Sequence, residues 1–157
     1  MTANPISDSS GWRQAHIGHW LRAALQQFDD RVLTLMAQHP AVPLGLSNLA
    51  ARGQVGAAHI HITRHLAHDG SRLGELAIRA GMSKQAMGAL VDQCEAWGMV
   101  TRAADPGDAR ARQVRFTTTG LAWLGAYRDA VTQAESEMRQ AIGDEVATVL
   151  ALGLEAY

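Results

Sequence analysis

The sequence contains a single cysteine, and this shortage and several others exclude whole classes of protein. With Cys94 alone, no disulfide can form within the chain, which favours the cytoplasm as its location. No segment has the length and apolarity of a transmembrane helix, and the first residues lack the basic, apolar and small-residue order of a signal peptide. No nucleophile–base pair, phosphate-binding loop or pair of catalytic carboxylates is evident either, so we expect neither an enzyme nor a bound cofactor.

Lysine is equally scarce, although the chain is not short of positive charge. Of its 14 basic residues, Lys84 is the one lysine and the others are arginines. The 157 residues carry a formal net charge of −1 and are 47% hydrophobic and 18% charged, which is typical of one folded domain without a general affinity for polyanions. Any contact with nucleic acid therefore has to come from a local arrangement of basic side chains.

The spacing of apolar residues predicts a mostly helical chain. Steps of three and four residues predict helices over 12–38, 44–52 and 55–68. A longer helix with a heptad seam follows its expected N-cap, Thr117, and ends at Gly143. Asp144 is then expected to cap one last helix.

The central part of the chain has the punctuation of two short helices joined by a tight turn. Ser71 is expected to cap the first helix, over 72–80, and Glu75 to support its N-terminal end. Gly81 suits the left-handed backbone conformation that ends such a helix, and Ser83 is the expected N-cap of the second.

Two strand-like runs follow the second helix, which is expected to end at Gly98. They cover residues 100–103 and 113–117, and the run Asp105-Pro106-Gly107-Asp108 between them has the composition of a turn. This order predicts a winged helix-turn-helix, in a mostly α fold with a small wing of two or three strands. Such a unit places one helix in the major groove of DNA and a basic hairpin on the backbone or in the minor groove.

The tract from Leu73 to Leu124 resembles the MarR family of multiple antibiotic resistance regulators. The matching residues are Leu76-Ala77, Ser83-Lys84-Gln85, Leu90-Val91-Asp92 with Glu95, Gly98-Met99-Val100, Asp105-Pro106, Asp108-Ala109-Arg110, and Phe116-Thr117 followed by Gly120. The resemblance implies a homodimer that binds palindromic operators and is usually released by a small ligand or an oxidant. It also implies that the arginine of the Asp-x-Arg pattern reaches the minor groove.

The first turn of the second helix carries the residues expected to read DNA. Gln85 is able to bond adenine with two hydrogen bonds, and Lys84 to reach guanine or phosphate. Small neighbours let the helix lie close to the base edges. The residues assigned to this face are Ser83, Lys84, Gln85, Ala86, Gly88 and Ala89.

The predicted wing adds a second set of candidate DNA contacts. Arg110 and Arg112 are separated by one residue and so point the same way in an extended segment. Asp108 is expected to pair with Arg110 and orient it, and Arg102 is assigned to the same DNA-binding surface.

Aromatic and histidine side chains in the first half of the chain predict an effector site. We expect a small organic ligand between the dimer helices and the DNA-binding lobe, in a pocket lined by Trp12, His16, Trp20, His61 and His65. His61 and His65 share a helix face at a spacing that also suits zinc, so they are the weak metal candidates of a cluster that includes His59 and His68. Cys94 lies on the inner stripe of its helix, where a small core residue is expected.

These observations predict four segments and one function. The segments are a flexible N-terminus (1–11), N-terminal dimerisation and pocket helices (12–56), a DNA-binding winged lobe (57–117) and C-terminal dimerisation helices (118–157). The predicted function is a cytoplasmic, ligand-responsive repressor that binds double-stranded operator DNA as a homodimer and has no membrane partner. Two alternatives stay open, namely a zinc- or other metal-responsive regulator and a winged-helix protein-interaction module that does not bind DNA.

Overall fold

A computed structural model describes residues 11–52, 54–56, 59, 62 and 64–157. The helices within these residues are α1 (Ile17–Ala37), α2 (Leu44–Ala51), α3 (Leu73–Arg79), α4 (Lys84–Ala96), α5 (Thr118–Ile142) and α6 (Asp144–Glu155). The strands are β1 (Ser71–Arg72), β2 (Val100–Asp105) and β3 (Asp108–Phe116), which form an antiparallel sheet in the order β1-β3-β2. The predicted fold class, mostly α with a small β wing, is confirmed.

The N-terminal helix is shorter than its apolar spacing predicts. A 3₁₀ turn over Gly11–Arg13 precedes α1, and His16 between them has an extended backbone. The ring Nδ1 of His16 accepts a hydrogen bond from the backbone N–H of His19 at 3.1 Å. His16 is therefore the N-cap, and α1 begins at the next residue. The predicted helix over 55–68 includes residues 57, 58, 60, 61 and 63, which lie outside the described residues.

The two long helices α1 and α5 pack against each other. The buried residues of α5 that lie along its core-facing side are Ala126, Ala130 and Ala134, and α1 packs against this helix. Arg31 of α1 donates two hydrogen bonds to the Glu137 carboxylate of α5, at 2.6 and 2.8 Å. This guanidinium lowers the pKa of Glu137 to about 2, so the contact between the two helices persists well below neutral pH.

The core continues from these helices into the winged lobe. Its buried residues include Val32, Met36, Leu76, Met87, Val91, Cys94, Met99, Val100, Val114 and Trp123. Because residues from the helices and from the sheet share one core, the wing and the two short helices are fixed on the long helices as a single packed unit.

The helix-turn-helix has the predicted turn but a different first cap. Gly81 has a φ of +64°, the left-handed conformation that glycine adopts without strain, and Ser83 caps α4 as predicted. Ser71 does not cap α3, because it lies in β1, is buried, and its hydroxyl oxygen accepts hydrogen bonds from Ala67 N–H and Arg79. The residue before α3 is Arg72, whose N–H donates to the Glu75 carboxylate at 3.3 Å.

The start of α5 lies against the base of the wing. Thr117 is the N-cap, as predicted, because its hydroxyl oxygen accepts a hydrogen bond from Gly120 N–H at 3.0 Å. A Cβ placed on Gly120 would lie 1.9 Å from the carbonyl oxygen of Met99. The helix therefore approaches Met99, the residue before β2, this closely only because residue 120 has no side chain. At the other end, Gly143 with a φ of +90° precedes α6 as its N-cap, so Asp144 is the first helical residue rather than the cap.

No helix in the described ranges has both the length and the apolar content required to cross a lipid bilayer.

Candidate nucleic-acid interface

The N-terminal turn of α4 is held at the surface by its cap and its buried stripe. The Ser83 hydroxyl accepts a hydrogen bond from Ala86 N–H at 3.1 Å. Met87, Val91 and Cys94 face the core. The predicted DNA-reading residues Lys84, Gln85, Ala86 and Ala89 are exposed, together with Ser83, and Gly88 is half-buried. The helix thus presents one cation and one amide on a face that is otherwise made of small side chains.

The wing is a hairpin with a two-residue turn at Pro106 and Gly107. Its strands pair from Val100 opposite Phe116 to Asp105 opposite Asp108, so both are longer than the sequence predicts. Arg110 and Arg112 are exposed on β3, two residues apart. In the described part of the chain, no hydrogen bond or ion pair engages either side chain. Both guanidinium groups are therefore available to an external anion.

Asp108 orients Arg110 in a different way from the one predicted. Its carboxylate accepts a hydrogen bond from the backbone N–H of Arg110 at 3.0 Å, and not from the guanidinium. The other carboxylate oxygen lies 3.9 Å from the Arg72 side chain. Asp108 thus fixes the backbone at the start of β3 and leaves the Arg110 side chain unpaired.

Asp105 is part of the wing that the sequence reasoning did not assign. It is buried, and its carboxylate accepts hydrogen bonds from Gly107 N–H at 2.8 Å and from Arg72 Nε at 2.6 Å. The Gly107 N–H, and next the Arg72 guanidinium, lower the pKa of Asp105 below its usual value. An aspartate two residues before a turn glycine is the available sequence signal, because aspartate bonds the backbone in this position.

Arg102, the fourth wing residue assigned to DNA, lies in β2 among carboxylates. Its guanidinium is hydrogen-bonded to Asp92 and Glu95, both on α4. Its backbone N–H donates to Glu95 at 3.0 Å. The positive charge of Arg102 is therefore neutralised by carboxylates of the protein itself, whereas the charges of Arg110 and Arg112 are not.

Of the predicted effector residues that the structure describes, none lines either of two cavities found along α5. Trp12 and Trp20 are 69% and 61% exposed, and His16 is exposed and caps α1. His65 is half-buried, and His61 lies outside the described residues. Trp12 lies in the 3₁₀ turn before α1 and Trp20 near the start of α1, and both rings face outward in a single chain.

Two cavities lie along α5 instead. One, of about 520 Å³, is between α1 and α5 and contains the Arg31–Glu137 contact. The other, of about 590 Å³, lies along α5 beside His68. Its lining residues are His68, Leu121, Leu124, Gly125, Tyr127, Arg128, Val131 and Thr132.

His59 and Cys94 are both buried and have structural roles. His59 is buried, accepts a hydrogen bond from Gly56 N–H at 3.1 Å through Nδ1, and lies 2.7 Å from Gln93 Oε1 through Nε2. Across the described ranges, no group of three or more histidine, cysteine or acidic side chains is arranged to hold a metal ion. Cys94 is buried in the core as predicted, and burial raises the pKa of its thiol to about 12, which opposes thiolate chemistry.

The fold and this surface together define a winged helix-turn-helix protein. The model of the MarR family matches residues 54–111, which confirms the resemblance predicted from the sequence over the winged lobe. The chain is therefore similar to the MarR family over its winged lobe. A comparison with curated protein sequences finds no match.

Solved structures of MarR-type regulators share the fold over nearly the whole chain. The repressor CouR bound to a 23-mer DNA duplex is 20% identical with a TM-score of 0.65, over 93% of this chain and 94% of CouR. CouR from Rhodococcus jostii RHA1 bound to p-coumaroyl-CoA is 19% identical with a TM-score of 0.65, over 91% and 92%. The reduced form of MarR from E. coli is 22% identical with a TM-score of 0.67, over 90% and 96%. At these identities the likeness establishes the fold.

Proposed function

We propose that this chain regulates transcription as a homodimer that binds a two-fold symmetric operator and is released from it by a small organic ligand, most simply as a repressor. One observation carries the proposal. The exposed first turn of α4, with Lys84 and Gln85, occurs in the same lobe as a wing whose Arg110 and Arg112 have no partner among the described residues. A helix that reads base edges beside a hairpin that contacts the backbone is the arrangement through which winged helices bind duplex DNA.

The exposed apolar side chains support the homodimer. On and before α1 they are Trp12, Ile17, Trp20, Leu21 and Leu25, and on α6 they are Val146, Val149, Leu152 and Leu154. A monomer in water rarely exposes this many large apolar side chains, whereas a dimer interface buries them. A two-fold dimer would place its two α4 helices about one turn of DNA apart, so the operator half-sites should have that spacing.

Arg110→Ala is expected to weaken binding to an operator and to flatten its dependence on salt. Removal of one cation from the DNA surface releases one counterion fewer, so the slope of log K against log salt should fall by about one. The measurement is fluorescence anisotropy with DNA selected by the full chain from a random pool, at several salt concentrations. Arg52→Ala is the matched control, because Arg52 is exposed at the end of α2, outside the winged lobe, and should leave both quantities unchanged. Unchanged affinity in Arg110→Ala would show that the wing does not contact DNA and would favour a protein-interaction module.

Gln85→Ala is expected to reduce discrimination between DNA sequences. Loss of a bidentate contact with adenine should cost about 1–3 kcal/mol on the selected site and much less on random DNA. The same anisotropy assay, run with both DNAs, gives the comparison. An equal loss on the two DNAs would mean that Gln85 only positions the helix.

The cavity beside Tyr127 is the proposed effector site. Its walls are largely apolar, with Arg128 and His68 as polar groups, which suits a small aromatic carboxylate. Tyr127 Oη accepts a hydrogen bond from Arg64 Nε at 2.7 Å, and Arg64 also pairs with Asp29 of α1 at 2.7 Å. A ligand that displaces this contact would favour one arrangement of the lobe over another, which is the differential affinity that a release mechanism requires.

Aromatic carboxylates are expected to bind this cavity and to weaken DNA binding in step. Calorimetry with benzoate-type acids and their uncharged amides tests the charge. Arg128→Ala should weaken acid binding by roughly tenfold and amide binding much less, because only the acid forms a charge-assisted pair with the guanidinium. Zinc is titrated in parallel. Stoichiometric zinc binding that is lost in His61→Ala and His65→Ala, with a matching change in DNA affinity, would replace the organic effector by a metal.

A further inference from the structure

Two arginines, Arg72 and Arg102, connect the wing to the rest of the lobe. Both form ion pairs within the protein, whereas the side chains of Arg110 and Arg112 form none among the described residues. Arg102 joins β2 to α4 through Asp92 and Glu95, and its side chain is 27% exposed. Arg72, at the end of β1, joins the turn of the wing through Asp105. One arginine thus holds the middle of β2, and the other holds the tip of the hairpin.

The contacts of Arg72 lead directly to the backbone of Arg110. Arg72 Nε lies 2.6 Å from Asp105, which bonds the turn at Gly107 N–H. The same guanidinium lies 3.9 Å from Asp108, and Asp108 accepts the hydrogen bond from Arg110 N–H. The position of the Arg110 backbone therefore depends on a chain of polar contacts that begins at Arg72.

The charges of these contacts argue against a direct role in DNA binding. Arg102 faces two carboxylates, so one positive and two negative charges leave this cluster at −1. Arg72 with Asp105 and Asp108 sums to −1 in the same way. Either cluster repels phosphate as a whole, whereas Lys84, Arg110 and Arg112 attract it.

We propose that Arg102 and Arg72 are positioning residues, which hold the wing at the height and angle relative to α4 at which Arg110 reaches DNA, and that neither contacts DNA itself. This inference rests on the proposed function. The fork of an arginine is suited to the task because it bonds two carboxylates at once in a fixed geometry, which the single ammonium of a lysine does not.

A double-mutant cycle on the full chain separates positioning from contact. We expect R102A to weaken binding to the selected DNA by about tenfold, a change of the size that coupled residues show in double-mutant cycles. When Arg110 is already alanine, R102A should cause little further loss of affinity. R102K should recover part of the loss. D92N/E95Q should also weaken binding, although it removes two negative charges near the DNA. Arg52→Ala serves as the control for a lost positive charge, because Arg52 is exposed at the end of α2 and lines neither cavity.

A readout without DNA keeps this test independent of the proposed function. In the free protein, hydrogen exchange over residues 100–116 should be faster in R102A, and in an R72A variant, while the melting temperature of the chain stays close to that of the wild type. If R102A and R110A are additive and D92N/E95Q binds DNA more tightly, Arg102 is a direct contact and the inference is wrong. The inference is equally wrong if wing exchange is unchanged in both variants. A wild-type protein that binds no DNA, with the exchange effect intact, would instead overturn the proposed function alone.

Discussion

Gly120→Ala is expected to destabilise the protein by about 3 kcal/mol or more, at the upper end of what added methyl groups cost in a packed interior. The added Cβ would lie 1.9 Å from the Met99 carbonyl oxygen and 2.9 Å from its carbonyl carbon. These are backbone atoms, so no side chain can rotate away to make room. Either α5 moves away from β2, or the wing shifts on its base. Urea unfolding at a fixed protein concentration measures the loss.

Gly125→Ala is the matched control for this substitution. Gly125 lies in the same helix, and a Cβ at this position meets nothing within 4 Å. Alanine is the better helix former, so this variant should be more stable than the wild type by about 0.5–1 kcal/mol. If both glycine variants shift the urea midpoint in the same direction, the close contact between Gly120 and Met99 does not decide the packing of α5.

The paired substitution Val149→Asp and Leu152→Asp is expected to abolish the dimer. The two side chains are 71% and 61% exposed on α6, on the apolar surface assigned above to a second copy. Burying two carboxylates in such an interface without partners costs several kcal/mol for each protomer. Sedimentation velocity at micromolar concentration should show a monomer or an unfolded chain, and binding to the selected two-fold DNA should be lost.

Ile78→Asp controls for the addition of an acidic residue to an exposed apolar position. Ile78 is 80% exposed on α3, away from α6 in the sequence and within the winged lobe. This variant should remain a dimer in the same experiment. A wild-type chain that sediments as a folded monomer, or a double variant that stays dimeric, would contradict the assignment of the α6 surface.

The sequence predicts the helix-turn-helix well because its signals are local. Gly81 and Ser83 each act on the backbone within three residues, and their roles do not depend on the rest of the fold. The two strands were predicted too short, because pairing between β2 and β3 extends each strand beyond its own preference for extended structure. Ser71 was assigned to the wrong role for a related reason. Pairing of β1 with β3 buries Ser71, and its hydroxyl bonds there instead.

The parts of the candidate site that depend on packing were harder to predict. That Arg102 lies between two carboxylates of α4 follows from the angle between the wing and that helix. Nothing in the local sequence encodes this angle. The effector residues were chosen from residue type and from the resemblance, whereas the cavity beside Tyr127 is formed by α5 and a distant segment.

The exposed position of Lys84 at the start of α4 makes occupancy of the DNA surface measurable by chemical modification. Lys84 is the one lysine of the chain, so an amine-acylating reagent has a single side-chain target, and that target lies on the exposed face that we propose enters the major groove. Protection of this residue by duplex DNA would appear as one missing mass increment in the intact protein. No engineered label is needed. Acylation also converts the ammonium to a neutral amide, so the reaction that reports on the groove removes the charge that Lys84 brings to it.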